Sequence, residues 1–300
     1  YAVHFNPAGL TDLRGAQAQL SAASPWLKHK VSFDAPENFG VFGFTDDPVK
    51  NSTSVTERAA VLLPLTDKMI SAPQGMPAPS AGGLSYSPPN SPFTFATAFY
   101  PQLVGGLDRD RDSDPGRFGG RLAAAQRITY FSPTIGYEYS ENLSFGASIG
   151  LNYVGIAAKS DMRAPNPIIG LARTVSEDIC PALGGFGAIG LWFFGAGCAA
   201  PGIGPFESAG TIELAVEDSV VPHYNLGMQW EPTDWLGFGM VYRSQATAQL
   251  AGEYTIDYSN DIQETISTLN QGPIFQAIFA ALQLPPQGSD KQSGRVNLEV

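Results

Sequence analysis

Two stretches of this chain alternate apolar residues with small or polar ones on strict odd/even parity, and few folds tolerate that pattern. In the first stretch, Phe131, Ile135, Tyr137 and Tyr139 share one parity; Tyr130, Ser132, Thr134, Gly136 and Glu138 share the other. A short Ser140-Glu141-Asn142 turn follows. Leu143, Phe145, Ala147, Ile149, Leu151 and Tyr153 then alternate with Ser144, Gly146, Ser148, Gly150 and Asn152. Side chains of a strand point to opposite faces with period two, so each strand has one apolar face and one small or wet face. A soluble strand usually carries Lys, Glu and Arg on its wet face. Here that face is Gly, Ser and Asn, with charge held to the turns, which is the pattern of a transmembrane β-barrel wall.

The second stretch repeats it. Tyr224, Leu226, Met228 and Trp230 alternate with His223, Asn225, Gly227 and Gln229; after Glu231-Pro232-Thr233-Asp234, Leu236, Phe238, Met240 and Tyr242 alternate with Gly237, Gly239, Arg243 and Gln245. Tyr137, Tyr139, Trp230 and Trp235 cluster at the turn ends, where an interfacial girdle would lie. Parity places Leu143, Phe145, Ile149, Leu151, Leu226, Met228, Phe238 and Met240 toward lipid. It places Ser144, Gly146, Ser148, Asn152, Asn225, Gly227 and Gln229 toward the lumen. A large soluble β-sandwich is the competing reading, since it also alternates. Composition favours the barrel: charged residues are 15% of the chain, hydrophobic residues 43%, and the mean hydropathy is −0.05. Only every second residue of a barrel strand meets lipid, so such a wall is low in charge without being greasy overall. A net charge of −11 leaves no basic patch for nucleic acid.

Strands are expected at about 127–140, 142–158, 210–230 and 235–257, with another starting near 294. Residues 1–30 lack clear alternation and read as a separate segment. Phe93, Phe95 and Phe99 suggest a strand, 71–90 reads as loop, and no strand is placed over 31–70. The chain opens at Tyr1 without Met and ends within an alternating Val296, Leu298, Val300 run, so it reads as part of a longer barrel. Short turns at 140–142 and 231–234 alternate with long connections at about 159–209 and 258–292, the periplasmic and extracellular sides of a barrel. Each long connection contains an apolar segment. Residues 179–206 contain Phe186, Leu191, Trp192, Phe193 and Phe194. Phe275, Ile278, Phe279 and Leu282 have the spacing of one helical face, closed by Pro285-Pro286. Apolar loops outside a cell need a reason: a surface that captures hydrophobic ligand, or a small core at the barrel mouth. Cys180 and Cys198, close in one loop of an exported chain, favour a disulfide over two free thiols. Asp108, Asp110, Asp112 and Asp114 alternate with Arg109 and Arg111. The interleaved arginines argue for a solvated loop over 101–126 rather than a calcium site.

No phosphate loop, nucleophile elbow or metal-ligand motif appears, so no enzyme activity, cofactor or metal is expected. His223 and Arg243 lie on lumen-facing parity. His223 reads as a hydrogen-bonding wall residue, and Arg243 as a partner for a wall glutamate or, alternatively, for a ligand carboxylate.

Phe5-Asn6-Pro7-Ala8-Gly9-Leu10-Thr11 resembles the Asn-Pro-Ala segment of the N-terminal hatch in FadL-type long-chain fatty acid transporters. Ser132 to Tyr137 with Leu143 to Ala147, and Tyr224 to Trp230 with Pro232-Thr233-Asp234 and Gly239 to Ser244, resemble barrel hairpins of the same family. The resemblance implies an all-β, transmembrane antiparallel barrel of about fourteen strands with helical extracellular loops, residues 1–30 forming the hatch and 31–300 an incomplete wall. Asn6, Pro7 and Ala8 would shape the hatch. It further implies a monomeric, multi-pass protein of the bacterial outer membrane, among outer-membrane lipid and lipopolysaccharide. Its ligand would be a long-chain fatty acid, captured on the apolar loops, passed to a lumen pocket and released sideways through a gap in the wall. Aromatic hydrocarbon uptake, or an adhesin or structural barrel, are the alternatives.

Overall fold

The computed structural model describes residues 2–34, 48–66, 68–109, 111–164, 175–182, 198, 204, 206–273, 276–277 and 291–300. Its strands are β1 (Gly15–Ala23), β2 (His29–Phe33), β3 (Ser52–Thr56), β4 (Ala59–Leu63), β5 (Lys68–Ala72), β6 (Ala78–Ser87) and β7 (Phe93–Asp108). They continue with β8 (Leu122–Phe131), β9 (Thr134–Ser140), β10 (Leu143–Met162), β11 (Gly210–Thr233), β12 (Leu236–Arg243), β13 (Gln249–Tyr258) and β14 (Lys291–Glu299). One antiparallel sheet runs β1-β6-β7-β8-β10-β11-β13-β14; β9 bridges β7 and β10, and β12 pairs with β11. β8 and β9 are thus two halves of one interrupted strand, as are β12 and β13. With those halves joined, chain neighbours are sheet neighbours throughout, apart from two hairpins between β1 and β6. The sheet edges β1 and β14 do not pair with each other, so this chain forms an open wall. No described helix is long and apolar enough to cross a membrane.

The two faces of the wall differ as parity requires. Ile149 is 58% exposed and Met240 65%, with Phe145, Leu226 and Phe238 also exposed on that face, whereas Asn152 and Asn225 are 0% and 1% exposed. A two-sided soluble core would bury both parities. Cross-strand aromatic pairs line the apolar face near the short turns: Trp230 on Phe238 at 5.6 Å, Phe93 on Tyr137 at 5.0 Å, and Tyr139 on Phe145 at 6.4 Å between ring centroids. Pairs of this kind each contribute on the order of 0.2–1 kcal/mol, and rings at this level suit the membrane interface.

Register shifts cross the wall at one level. They fall at Pro101/Leu103 of β7, at Leu151/Asn152 against β8, and at Asn152/Val154 against β11; the β8–β9 and β12–β13 breaks continue the line. Pro101, Pro133 and Pro222 sit along it, where a missing backbone donor disrupts no regular ladder. A one-residue bulge shifts one strand by a residue against its partner, so that one of the two reverses its facing beyond it; β10 is a strand that does. That corrects the expectation for Tyr153. It does not follow Leu151 toward lipid but is buried against Ala60, Leu62, Ala124 and Ala157 on the inner face.

Other boundaries differ too. Residues 15–23, expected within the hatch, are the sheet strand β1. Residues 78–87, read as loop, are β6. The connection between β7 and β8 is not a solvated 101–126 loop, because the strands extend to Asp108 and resume at Leu122. What lies between is an ionic knot. Buried Asp161 pairs with Arg117 at 3.2 Å and Arg121 at 3.0 Å, and Arg121 also reaches Asp112 at 3.0 Å. Arg117 donates to the Phe206 carbonyl at 2.6 Å and lies over the Phe118 and Phe206 rings. Charges taken out of water need such partners, and the knot ties this loop to the end of the 163–209 connection. Cys180 and Cys198 form a disulfide within that connection.

Candidate functional site

The inner face is filled at two levels. At the short-turn end lies a plug, a helical turn (Ala2–Phe5) followed by a 3-10 helix (Pro7–Asp12). The sequence sets this turn locally. Asn6 caps the 3-10 helix by accepting from the Ala8 N–H at 3.1 Å, Pro7 supplies the fixed φ of a first helical residue, and the Thr11 hydroxyl donates to the Ala8 carbonyl at 2.9 Å. The Asn6 amide also donates to the Met228 carbonyl of the wall at 3.1 Å. Arg14 donates to the Thr11 carbonyl and pairs with Glu138 at 3.0 Å.

The plug has a seat made of missing side chains. Gly146 is opposite Gly136 on one side and opposite Gly227 on the other, a glycine row across β9, β10 and β11. A Cβ at Gly146 would collide with Pro7 and the Ala8 nitrogen, and one at Gly227 with the Asn6 and Pro7 side chains; at Gly136 the neighbour is the Leu10 side chain. The lumen parity carries glycine here because the plug backbone lies directly on the wall backbone. Pro7 and Ala8 are buried as a result.

Above the plug, at the bulge level, is a polar belt. The Gln102 amide donates to Thr129 at 2.9 Å and Asn152 at 3.2 Å, Thr129 donates to Asn152 at 2.7 Å, and Asn152 shares a hydrogen bond with the His223 ring at 3.0 Å. His223 is thus a bonded wall residue lying over Gly150. Among the described residues Arg243 has no glutamate partner; exposed on the inner side, it donates to the His4 carbonyl and holds the first turn of the plug.

Beside the plug lies a cavity of about 460 Å³, within the size range of small-molecule sites. Its walls are the plug (Ala2 to Phe5, Leu10, Leu13), β1, β6 and β7 from Ala96 to Pro101. The lining is mostly alanine, glycine, leucine, phenylalanine and serine, with no charged side chain, so it suits an apolar guest. β6 pairs with β7 only from Gly82 to Tyr86; beyond that, Tyr100 to Asp108 of β7 pair with β8 and not with β6. The wall therefore parts between β6 and β7 beside this cavity, where Ser80, Ala81, Tyr100 and Pro101 all line it. Sequence reading missed this pocket, because Gln17, Gln19 and Ser21 alternate with Ala16, Ala18, Leu20 and Ala22, and a single leucine among alanines does not register as an apolar face. Of the expected site residues, the structure brings Asn6, Pro7, Ala8 and Arg243 together at the plug and sets His223 in the belt. Phe186, Leu191, Trp192, Phe193, Phe194, Phe275, Ile278, Phe279 and Leu282 lie outside the described residues. No cluster able to hold a metal occurs among the described residues.

An apolar-faced antiparallel wall with a glycine-seated inner plug is the architecture of a plugged outer-membrane barrel, of which this chain forms an open section. The chain belongs to the outer membrane protein transport protein family (OMPP1/FadL/TodX), whose pattern it matches over residues 1–299. Members of that family are transport channels rather than enzymes. Among solved structures, it is similar to the Ralstonia pickettii toluene transporter TbuX, with 15% identity and a TM-score of 0.45, covering 86% of this chain and 55% of that one. It is also similar to the deltaS2S3 mutant of the monoaromatic hydrocarbon channel TodX, with 14% identity and a TM-score of 0.49, covering 100% of this chain and 58% of that one. The P. putida toluene transporter TodX gives 16% identity and a TM-score of 0.42, covering 85% and 53%. The chain thus spans little more than half the length of these structures. No curated protein matches it.

Proposed function

We propose that the protein is an outer-membrane channel for hydrophobic molecules, and that its ligand is a long-chain fatty acid. The observation that carries this reading is the uncharged cavity of about 460 Å³ between plug and wall, opening where β6 leaves β7. An acyl chain partitioning into such a site gains about 0.8 kcal/mol per buried methylene, enough for micromolar binding without a specific contact. The gap beside the cavity gives the ligand a sideways route out through the wall. Capture at the outer mouth is assigned to the apolar segments around Trp192, Phe194 and Phe279, on the strength of their sequence.

The test is ligand competition on a cavity variant. Ala98→Trp would fill part of the cavity from β7, an inner-face position among its lining residues. Binding of a fluorescent long-chain fatty acid is expected to weaken about tenfold, as loss of two or so buried methylenes would do, with unchanged heat-modifiable migration on a gel. Toluene is the competitor that separates the two substrate classes. If toluene displaces the probe at lower concentration than palmitate does, the aromatic reading replaces the fatty acid one. Full-strength binding in the variant would remove the cavity from the pathway.

A further inference from the structure

The hairpin β4–β5 sits on the same inner face as the plug, farther toward the long loops. On β7 the plug and cavity meet Ala96 to Tyr100, whereas the hairpin meets Gly106 and Asp108, on the same parity. At roughly 3.3 Å per residue, the two fillings are stacked along the strand rather than side by side. Anything entering from the long-loop side meets the hairpin before the cavity.

Its attachments are of two kinds. At its base, Arg58 pairs with buried Asp108 at 3.0 Å, and the Ser71 hydroxyl bonds the same carboxylate. Between base and tip, Ala60 and Leu62 pack on Ala124, Tyr153 and Ala157, and Gln126 donates to the Leu62 carbonyl at 2.8 Å. At its tip, among the described residues, the polar attachment to the wall is one group. The Glu217 carboxylate accepts from the Leu65 N–H at 3.1 Å and from the Tyr153 hydroxyl at 2.6 Å. Leu65 is held there at φ 64°, a left-handed conformation that a leucine rarely adopts, with its side chain exposed. A two-stranded hairpin is marginal by itself, so its position depends on these contacts. The base is doubly fixed, whereas the tip is strained and, among the described residues, held to the wall by the Glu217 carboxylate.

We propose that the β4–β5 hairpin is an outer gate, hinged at the Arg58–Asp108 pair and latched by Glu217. Release of the latch lets the tip swing from the wall and opens the way from the outer mouth to the cavity. The inference rests on the channel reading above, but its test needs no fatty acid.

The probe is a membrane-impermeant maleimide, added outside intact cells carrying the full-length protein with Ala98→Cys in the cavity. Cys180 and Cys198 are already joined and do not compete. In the latched protein, labelling should be slow compared with that of a cysteine placed at exposed Trp26. Glu217→Ala should speed labelling of Ala98→Cys about tenfold, the scale of losing a hydrogen bond to a charged group. Glu217→Gln, which keeps an acceptor for the Leu65 N–H, should restore much of the slow rate. Heat-modifiable migration reports whether each variant is folded. The gate is overturned if Ala98→Cys labels as fast as the exposed site before the latch is cut, or if folded Glu217→Ala labels no faster than its parent. Either result leaves the fatty acid competition untouched, and failure of that competition leaves the labelling result standing.

Discussion

Gly146→Val is expected to expel the plug. The substituted side chain would stand where Pro7 and the Ala8 nitrogen now lie, and the obstruction is backbone, so no rotamer change relieves it. The neighbouring wall cannot move away either, because Gly146 is paired on both sides, to Gly136 and Gly227. The plug must therefore lift, giving up the Asn6 bond to the Met228 carbonyl and the Arg243 bond to the His4 carbonyl. Overpacking of this kind costs roughly 1–3 kcal/mol, comparable with the few hydrogen bonds that hold the segment. In planar bilayers the full-length parent should conduct poorly and the variant should show long-lived open events. Cells should become sensitive to large antibiotics that the parent excludes. Two comparisons make the result specific. Gly105→Ala meets nothing within 4 Å and should leave conductance unchanged. Gly136→Ala meets only the Leu10 side chain and Thr11 methyl closely, and should have a small effect. Equal conductance in all three variants would mean that the glycine row does not seat the plug.

What the sequence made legible follows from which forces are local. Parity over 143–151 and 223–230 is local, and the burial of Ser144, Ser148, Asn152 and Asn225 against the exposure of Phe145, Ile149 and Leu226 agrees with it. The Asn-Pro-Ala turn is local as well, since cap, proline and hydroxyl bond within six residues. The reason for Gly146 and Gly227 is not local: they carry no side chain because residues some 140 and 220 positions earlier lie on them, and alternation alone shows only that they are small. Tyr153 shows the same limit in another form. Nothing in its immediate sequence announces the bulge between Asn152 and Val154, which depends on how β8 and β11 are spaced on either side. The ionic knot of Arg117, Arg121 and Asp161 draws its members from positions up to 44 apart, so its aspartates and arginines look like a solvated run until they are brought together.

The membrane assignment itself predicts the largest stability effect. Ile149 stands near the middle of the stretch from Leu143 to Tyr153, about the length needed to cross a bilayer as a tilted strand. It is 58% exposed, flanked by Ala147 and Leu151 on its own strand and opposite Tyr224 on β11. In water such a surface would be a liability; in lipid it is the wall. Ile149→Arg should therefore cost about 2–4 kcal/mol at the midplane, read as a fall in the urea concentration needed to unfold the protein in detergent or bilayers. Gln229→Lys, on lumen parity and close to the short-turn end, should cost well under 1 kcal/mol by comparison, since it exchanges one polar group for another and can keep Glu231, which Gln229 already bonds at 2.7 Å, as its partner. Lumen positions are not uniformly permissive, because Ser148 and Asn225 are buried on the inner face, so Gln229 is the appropriate control. If Ile149→Arg and Gln229→Lys lowered stability equally, the two faces of β10 and β11 would not be meeting different solvents, and the wall would have to be reassigned as one layer of a soluble sandwich.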